Sequence, residues 1–366
     1  MDYEEVETQM SRMRTALRRG ALMATVLAAV LAIGVQAASA NETVAAGKAA
    51  TWLSGQLTGG NHYLTYFHKF GEPATIESYE DVGLTIDGNF AFLAATAETG
   101  TSYKTQAKAT QKWIQEHAAG YEGGGTCGGA GEVYAGSVAK IAVFQLANAL
   151  SAKKSVETLE CLEKASKETG RISNQGGEED FSNPFSQGLA IIALEEKGTK
   201  EAAKKAAEYL LSQQCTGTEA GAFLSFFGSA HPSCNAGEPE VDATAMAVEA
   251  LITAGKLGAA VEGMEWLEEH AEPESPGVYW KNTACTGSPE KSTNSTALAT
   301  LNVAEPMISE GQAWLAAQQG SEGWLEGCSD PNSQVLGSNR VRATTQGVLG
   351  LLYFYYLKLA TGLYHP

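Results

Sequence analysis

After residue 40 the chain repeats one pattern six times, and each copy takes about 50 residues. A helix with an aromatic on an alanine-rich face leads into a polar, glycine-rich loop. A second helix, apolar on nearly every side, closes the unit. The first helices carry Lys48-Ala49-Ala50-Thr51-Trp52-Leu53, Lys108-Ala109-Thr110-Gln111-Lys112-Trp113-Ile114, Lys205-Ala206-Ala207-Glu208-Tyr209-Leu210, Gly263-Met264-Glu265-Trp266-Leu267 and Gly311-Gln312-Ala313-Trp314-Leu315. A unit of this size cannot bury its own apolar face, so the copies must stack and share a core.

The second helices place that core. Val133 to Leu150, Ser186 to Glu195, Asp242 to Ala254, Thr293 to Val303 and Thr344 to Leu359 are built mainly from Ala, Leu, Val and Ile. Charge is held to positions such as Lys140, Glu249 and Lys358. A helix apolar all round is buried on most sides. The first helices put Lys and Glu opposite the aromatic stripe, as in Glu201 to Glu208, and so face water. Six inner helices ringed by six outer ones give an all-α barrel of about six helix pairs. An open superhelix is the alternative, and the long loops favour closure. The third unit, Val156 to Gly198, is the least regular, because Cys161-Leu162 stands where other copies carry an aromatic pair.

Residues 1–40 read as a signal peptide and residues 41–366 as a single domain. Arg12, Arg14, Arg18 and Arg19 precede an apolar stretch from Ala21 to Val35, and Ala38-Ser39-Ala40 suits signal cleavage. The stretch is short for a membrane span, which takes about 20 residues; an uncleaved anchor is the alternative. Asp2, Glu4, Glu5 and Glu7 are unusual at the head of a signal, which opens Met10 or Met13 as the initiator. The acids and bases of this segment cancel, so the remainder keeps the net charge of −17, with Arg171, Arg340 and Arg342 as its arginines. Such a surface repels nucleic acid and anionic lipid, so neither is expected as a partner of the secreted chain. The oligomeric state stays open.

Six cysteines, all beyond the signal, argue for disulfides in an exported chain. Cys215 and Cys234 share the loop of the fourth unit, and Cys285 and Cys328 occupy the corresponding loops of the next two. Cys127 falls in the second loop and Cys161 on the third outer helix. Paired in that way they staple the loops, each bridge contributing about 3 kcal/mol by the chain-entropy argument. No Cys-x-x-Cys pair and no histidine at ligand spacing suggests zinc. Neither a metal nor another cofactor is expected.

The repeated Trp-Leu outer helix and the loop with glycine and an aromatic lead to an inner helix opening Val241-Asp242-Ala243-Thr244-Ala245-Met246-Ala247-Val248-Glu249-Ala250-Leu251. Together they resemble the prenyltransferase and squalene-cyclase repeat over residues 44–362. The resemblance implies the α/α toroid superfamily, which includes terpenoid cyclases, prenyltransferase β subunits, thioester-containing complement domains and cobalamin carriers. The family chemistry does not carry over. Such cyclases use an Asp-x-Asp-Asp cluster, whose carboxylates keep one another protonated. The nearest candidate here, Glu178-Glu179-Asp180, reads as solvated charge in a polar loop. The zinc site of prenyltransferases needs Asp, Cys and His together. His62, His68, His117, His231, His270 and His365 form no such set with a free cysteine. Cys127-Gly128-Gly129-Ala130 keeps the start of a thioester motif but lacks its acyl donor, and the β-rich second domain of cobalamin carriers has no counterpart. Nor is there a Gly-x-Ser-x-Gly elbow or a phosphate loop after a strand.

What remains is the barrel mouth, where the inner helices begin. Asp87, Asn183, Asp242, Asn294 and Thr344 fall at or near those starts, where such side chains cap helices. Together they would ring one opening with polar groups, as ligand sites do. Nearby loops add Tyr63, Tyr66, Phe67, Phe226, Phe227, Tyr279, Trp280 and Trp324, either as loop packing or as stacking faces. Arg342, beside Arg340, reads as half of an ion pair or as an anchor for a carboxylate or phosphate. The expected ligand-binding set is Asp87, Asp242, Asn294, Arg342, Trp280 and Trp324, with no catalytic residue assigned. The expected function is a secreted, non-catalytic toroid that binds a small molecule or a cell-surface partner at this mouth. The alternative is an exported enzyme, terpenoid-cyclase-like or polysaccharide-degrading, with its acid at a position such as Asp87 or Asp242.

Overall fold

The computed structural model describes residues 39–60, 62–70, 75–177, 179–235, 237–282, 290–327 and 336–362. Residues 1–38 of the expected signal, Glu178, Cys285, Cys328, His365 and the Phe67 and His68 side chains lie outside what is described. Outer helices α1 (Ala40–Ser54), α3 (Lys104–Tyr121), α5 (Lys153–Ala165), α7 (Lys200–Ser212), α9 (Leu257–Glu269) and α11 (Met307–Ala317) alternate with inner ones. The inner set is α2 (Val82–Glu98), α4 (Ala135–Ala147), α6 (Pro184–Glu196), α8 (Val241–Thr253), α10 (Thr293–Thr300) and α12 (Leu336–Leu351). Each inner helix packs on the next, and α12 packs back on α2, while α11 meets α1. The chain is a closed α/α toroid.

Burial explains which helix goes where. On α7 the alanines 202, 203, 206 and 207 are buried with Tyr209 and Leu210, whereas Glu201, Lys204 and Glu208 are exposed. On α8 every residue from Ala243 to Leu251 is buried, Glu249 included. A one-faced apolar stripe makes an outer helix, and apolar character all round makes an inner one.

Closure reuses the contact that joins neighbours. In the fourth unit Gly221 (φ +96°) runs so close to α9 that a Cβ there would lie 2.2 Å from the Glu262 carbonyl oxygen. In the sixth unit Gly323 (φ +104°) meets α1 in the same manner, 2.6 Å from the Lys48 carbonyl oxygen. Only glycine fits a positive φ at such a close approach. A second device recurs at the inner helices, where a threonine in the first turns accepts a loop N–H. Leu64 bonds Thr85 at 3.0 Å, Phe223 bonds Thr244 at 3.0 Å, Trp280 bonds Thr296 at 3.0 Å and Leu325 bonds Thr344 at 2.9 Å. Thr344 is fully buried. It ties a loop to the core and does not cap a helix at the mouth, as expected of it.

The two ends of the barrel differ. Connections from an inner helix to the next outer one, such as residues 197–199 and 254–256, take few residues, whereas those from outer to inner, such as 213–240, are long. The long ones make the mouth. The first holds an antiparallel hairpin of β1 (Thr65–Phe70) and β2 (Thr75–Glu80), and the fifth holds two-residue strand pairs. Two bridges staple this end as the spacing suggested: Cys127–Cys161 ties the second loop to α5, and Cys215–Cys234 closes the fourth.

The expected helix from Thr344 to Leu359 is broken. Helix α12 ends at Leu351, Tyr353 takes φ +48°, and the chain turns back as α13 (Tyr356–Thr361). Helix α13 packs against α4, α6 and α8, within the inner ring. A straight continuation would carry Phe354, Tyr356 and Leu359 past the ring into water; folding back leaves each at most 1% exposed. The Leu357 N–H donates to Glu249 Oε1 at 2.6 Å, and Lys358 pairs with Glu98 at 2.8 Å. The far end of the lumen is thereby filled. Among the described residues no helix is long and apolar enough to cross a membrane.

Candidate functional site

Two aspartates on opposite members of the inner ring, α2 and α8, dominate the mouth. Neither caps its helix, contrary to the reading from sequence. On α2 the cap is Asp81, whose Oδ1 accepts from the Leu84 N–H at 2.8 Å. On α8 it is Glu240, which accepts from the Ala243 N–H at 2.7 Å. Asp87 and Asp242 sit deeper and are free of that duty.

Asp87 is 5% exposed and pairs with Lys140 of α4, Nζ to Oδ1, at 2.7 Å. Burial alone would lower the Lys140 pKa. The Asp87 carboxylate, with Tyr121 adding, outweighs that and holds it above the usual lysine range, although Arg342 pulls the other way. Asp87 thus has its counter-charge built in.

Asp242 stands in the opposite condition. Its Oδ1 is shielded from solvent and, among the described residues, has no hydrogen-bond partner. Desolvation, then the nearby Glu240 charge, push its carboxyl up to about 8, against the weaker pull of Ser295 and Asn282. Burial raises Glu240 as well, partly offset by its N–H partners and by Asn282, whose amide donates to it at 2.6 Å. Two neighbouring, poorly solvated carboxyls cannot both ionise cheaply, so the pair retains a proton at neutral pH. The Tyr356 phenol of α13 links both sides. Burial first, then the charges of Asp87, Glu249 and Asp242, raise it well above the ordinary tyrosine value. Both aspartates therefore act on one hydroxyl inside the lumen.

The other expected residues divide. Asn294 is no cap, since Ser292 accepts from the Ser295 N–H at 3.1 Å; the Asn294 amide instead donates to Gln346 at 2.6 Å. Asn183 does cap, in a reciprocal box with Ser186. Arg342 is 51% exposed, 4.0 Å from Asp81 and 6.0 Å above the Tyr66 ring, an exposed cation at the rim. Trp324 lies under Arg340 at 3.8 Å. Trp280 was expected to line the mouth, but it is fully buried and its indole donates to the Leu267 carbonyl at 2.7 Å. It is a core residue. Of the loop aromatics, Tyr63 packs on Trp113, Tyr279 on Trp314 and Phe227 on Tyr209, while Phe226 is 67% exposed. Asp180 of the acidic triplet pairs with Arg171 at 2.8 Å.

Sequence reasoning missed Lys140, Glu240 and Tyr356 as parts of the site. The first was visible as a lone charge on an apolar helix. The second stands four residues before Thr244, as Asp81 stands before Thr85 and Ser292 before Thr296. Among the described residues no group of three His, Cys, Asp or Glu side chains could hold a metal.

No family model and no curated protein matches the chain. Solved structures do. An unsaturated glucuronyl hydrolase from Bacillus sp. GL1, responsible for the degradation of glycosaminoglycan, matches with a TM-score of 0.54 at 13% identity, over 85% of this chain and 95% of its own. An unsaturated glucuronyl hydrolase specific for heparin gives 0.58 at 10% identity, over 86% and 95%. The α-1,6-mannanase GH76A from Salegentibacter sp. HEL1_6 gives 0.52 at 12% identity, over 88% and 100%. An inactive variant of that mannanase, with two aspartates replaced by asparagine, was solved with α-1,6-mannotriose. At such identities the likeness establishes the α/α toroid and nothing finer. These toroids, matched over most of both chains, are glycosidases, which speaks against the expected non-catalytic binding protein and for the polysaccharide-degrading alternative. The likeness to prenyltransferases and squalene cyclases holds for the toroid architecture alone.

Proposed function

We propose that the chain is an exported glycan-degrading enzyme that hydrolyses a glycosidic bond at the barrel mouth. The observation that carries this reading is one mouth holding two carboxyl groups in opposite settings, Asp87 paired with Lys140 at 2.7 Å and Asp242 with a shielded oxygen that has no hydrogen-bond partner among the described residues. Glycoside hydrolysis asks for that division, a protonated acid on one side of the scissile bond and a carboxylate on the other. Asp242, with its carboxyl up to about 8, is the acid. Its proton passes to the glycosidic oxygen as the bond to the anomeric carbon breaks. Asp87, paired with Lys140, faces the positive charge that develops on that carbon and accepts the proton of the incoming water. Arg342 and Trp324 at the rim would hold the glycan by charge and by stacking. The basic-apolar-small order of residues 1–40 and the two bridges support export.

The test is hydrolysis by purified protein of glucuronic-acid-containing oligosaccharides and of α-mannan, with the products followed by anomeric NMR. Release of reducing sugar that vanishes in Asp242→Asn is the expected result. Absence of hydrolysis across neutral and acidic glycans alike would refute the reading.

A further inference from the structure

Three features of the C-terminal segment meet at one residue. Helix α13 packs against α4, α6 and α8, inside the inner ring. Tyr356, its first residue, is 1% exposed and wedged edge-on between Phe90 of α2, at 6.0 Å, and Phe185 of α6, at 6.2 Å. The helix is fixed from α8, where Glu249 accepts the Leu357 N–H at 2.6 Å, and from α2, where Glu98 holds Lys358 at 2.8 Å. A tyrosine ring so clamped loses little further freedom when it binds something.

The hydroxyl is the part that packing leaves unexplained. A phenylalanine would fill the same ring contacts, and a buried hydroxyl is costly unless it bonds. Phe90 stands one turn after Asp87 on α2 and Glu249 two turns after Asp242 on α8, so the contacts that hold Tyr356 and Leu357 set the start of α13 between the two aspartate-bearing helices. We propose that Tyr356 is a third functional group of the mouth, carried into the lumen by α13 so that its hydroxyl donates a hydrogen bond to the sugar held between Asp87 and Asp242. This rests on the glycan-hydrolase reading and adds a substrate contact to it. Helix α13 thus does two jobs: it packs the lumen and supplies the floor of the sugar subsite.

Tyr356→Phe keeps the contacts to Phe90 and Phe185 and removes only the oxygen. The experiment measures kcat/KM, sugar affinity by calorimetry and melting temperature for wild type and variant, with uronic-acid disaccharides and α-1,6-mannotriose as probes. The expected result is at least a tenfold fall in kcat/KM and in affinity, with melting within a few degrees of wild type. Wild-type turnover with a variant equal to it within twofold overturns the role of Tyr356 and leaves the hydrolase reading intact. Wild-type binding without turnover defeats the hydrolase reading, and loss of affinity in the variant then still decides for the contact. A wild type that neither binds nor cleaves these glycans overturns both. Glu249→Ala and Glu249→Gln separate position from chemistry. Gln keeps an acceptor for the Leu357 N–H and should retain activity, whereas Ala frees α13 and should lose it.

Discussion

The two ends of the lumen are made by the same twelve helices and have opposite characters. At the far end the connections are short, and α13 fills the opening with Phe354 and Leu359. At the mouth the connections are long and stapled by disulfides, and the inner helices present their N-terminal ends. One buried glutamate serves the far end as a tether, whereas at the mouth Asp87 is paired with Lys140 and Asp242 stands beside a second carboxyl, Glu240. The difference shows where a repeat protein keeps its chemistry. Short turns are needed to return the chain around the ring, so variation collects in the loops that are free to lengthen.

The sharpest way to break this comparison is to disarm the mouth. Asp242→Asn and Asp87→Asn should each reduce glycan hydrolysis by about 10²–10⁴-fold, the range for losing a positioned acid or base. Asp242→Asn should leave melting unchanged or raise it, because it removes a carboxyl that burial disfavours as an anion. Wild-type activity should also fall as pH rises through about 8, where Asp242 loses its proton. A variant that retains full turnover, or a profile flat to pH 9, would move the chemistry elsewhere.

Next in size is the staple. Replacing Cys215 and Cys234 together by serine should cost about 3 kcal/mol, read as a lower denaturation midpoint. The fourth loop also supplies the Phe223 N–H bond to Thr244, so activity should decline with it. An unchanged midpoint would mean that the loop is held by packing alone. Ring closure comes third. Gly323→Ala forces a Cβ against the Lys48 carbonyl at a positive φ and should cost about 1–3 kcal/mol. The loss should match that of Gly221→Ala if the closing contact is energetically the same as those between neighbours. A much smaller loss at Gly323 would mean that the ring is closed by its inner helices.

The architecture was legible because periodicity survives in single residues: Trp52, Trp113, Tyr209, Trp266 and Trp314 recur on alanine-rich faces, and the inner helices lack a polar side. The mouth was legible as a place and less so as a set of roles. Asp81 and Asp87, like Glu240 and Asp242, lie within six residues of each other in sequence, and either of each pair suits a helix start. Which one caps depends on the first helical residue, a boundary that composition does not fix. Trp280 misled for a different reason, since an indole beside polar residues reads alike whether its N–H meets a ligand or the Leu267 carbonyl. Tyr356 could not be placed at all. An apolar run after Leu351 serves equally as a continuing helix or as one that folds back, and only the empty lumen of a closed ring selects the second.

The smallest effect concerns the tether at the far end, where Glu249→Gln sharpens the contrast with Asp242. Burial raises the Glu249 carboxyl to about 8, against the pull of the Leu357 and Tyr356 N–H groups, so it too is protonated when folded at neutral pH. A folded-state pKa above the unfolded one means that folding takes up a proton. The associated stability is fully present below the unfolded value near 4.5 and is lost as pH rises to about 8. Glutamine is neutral throughout, so the variant should lose less stability than wild type between pH 5 and pH 8. At pH 5, where both side chains are neutral, the two should differ by about 1 kcal/mol or less, since glutamine can accept the Leu357 N–H. Parallel stability–pH curves for the two proteins would show that Glu249 is already ionised in the fold, and the far end would then hold a buried charge as the mouth does.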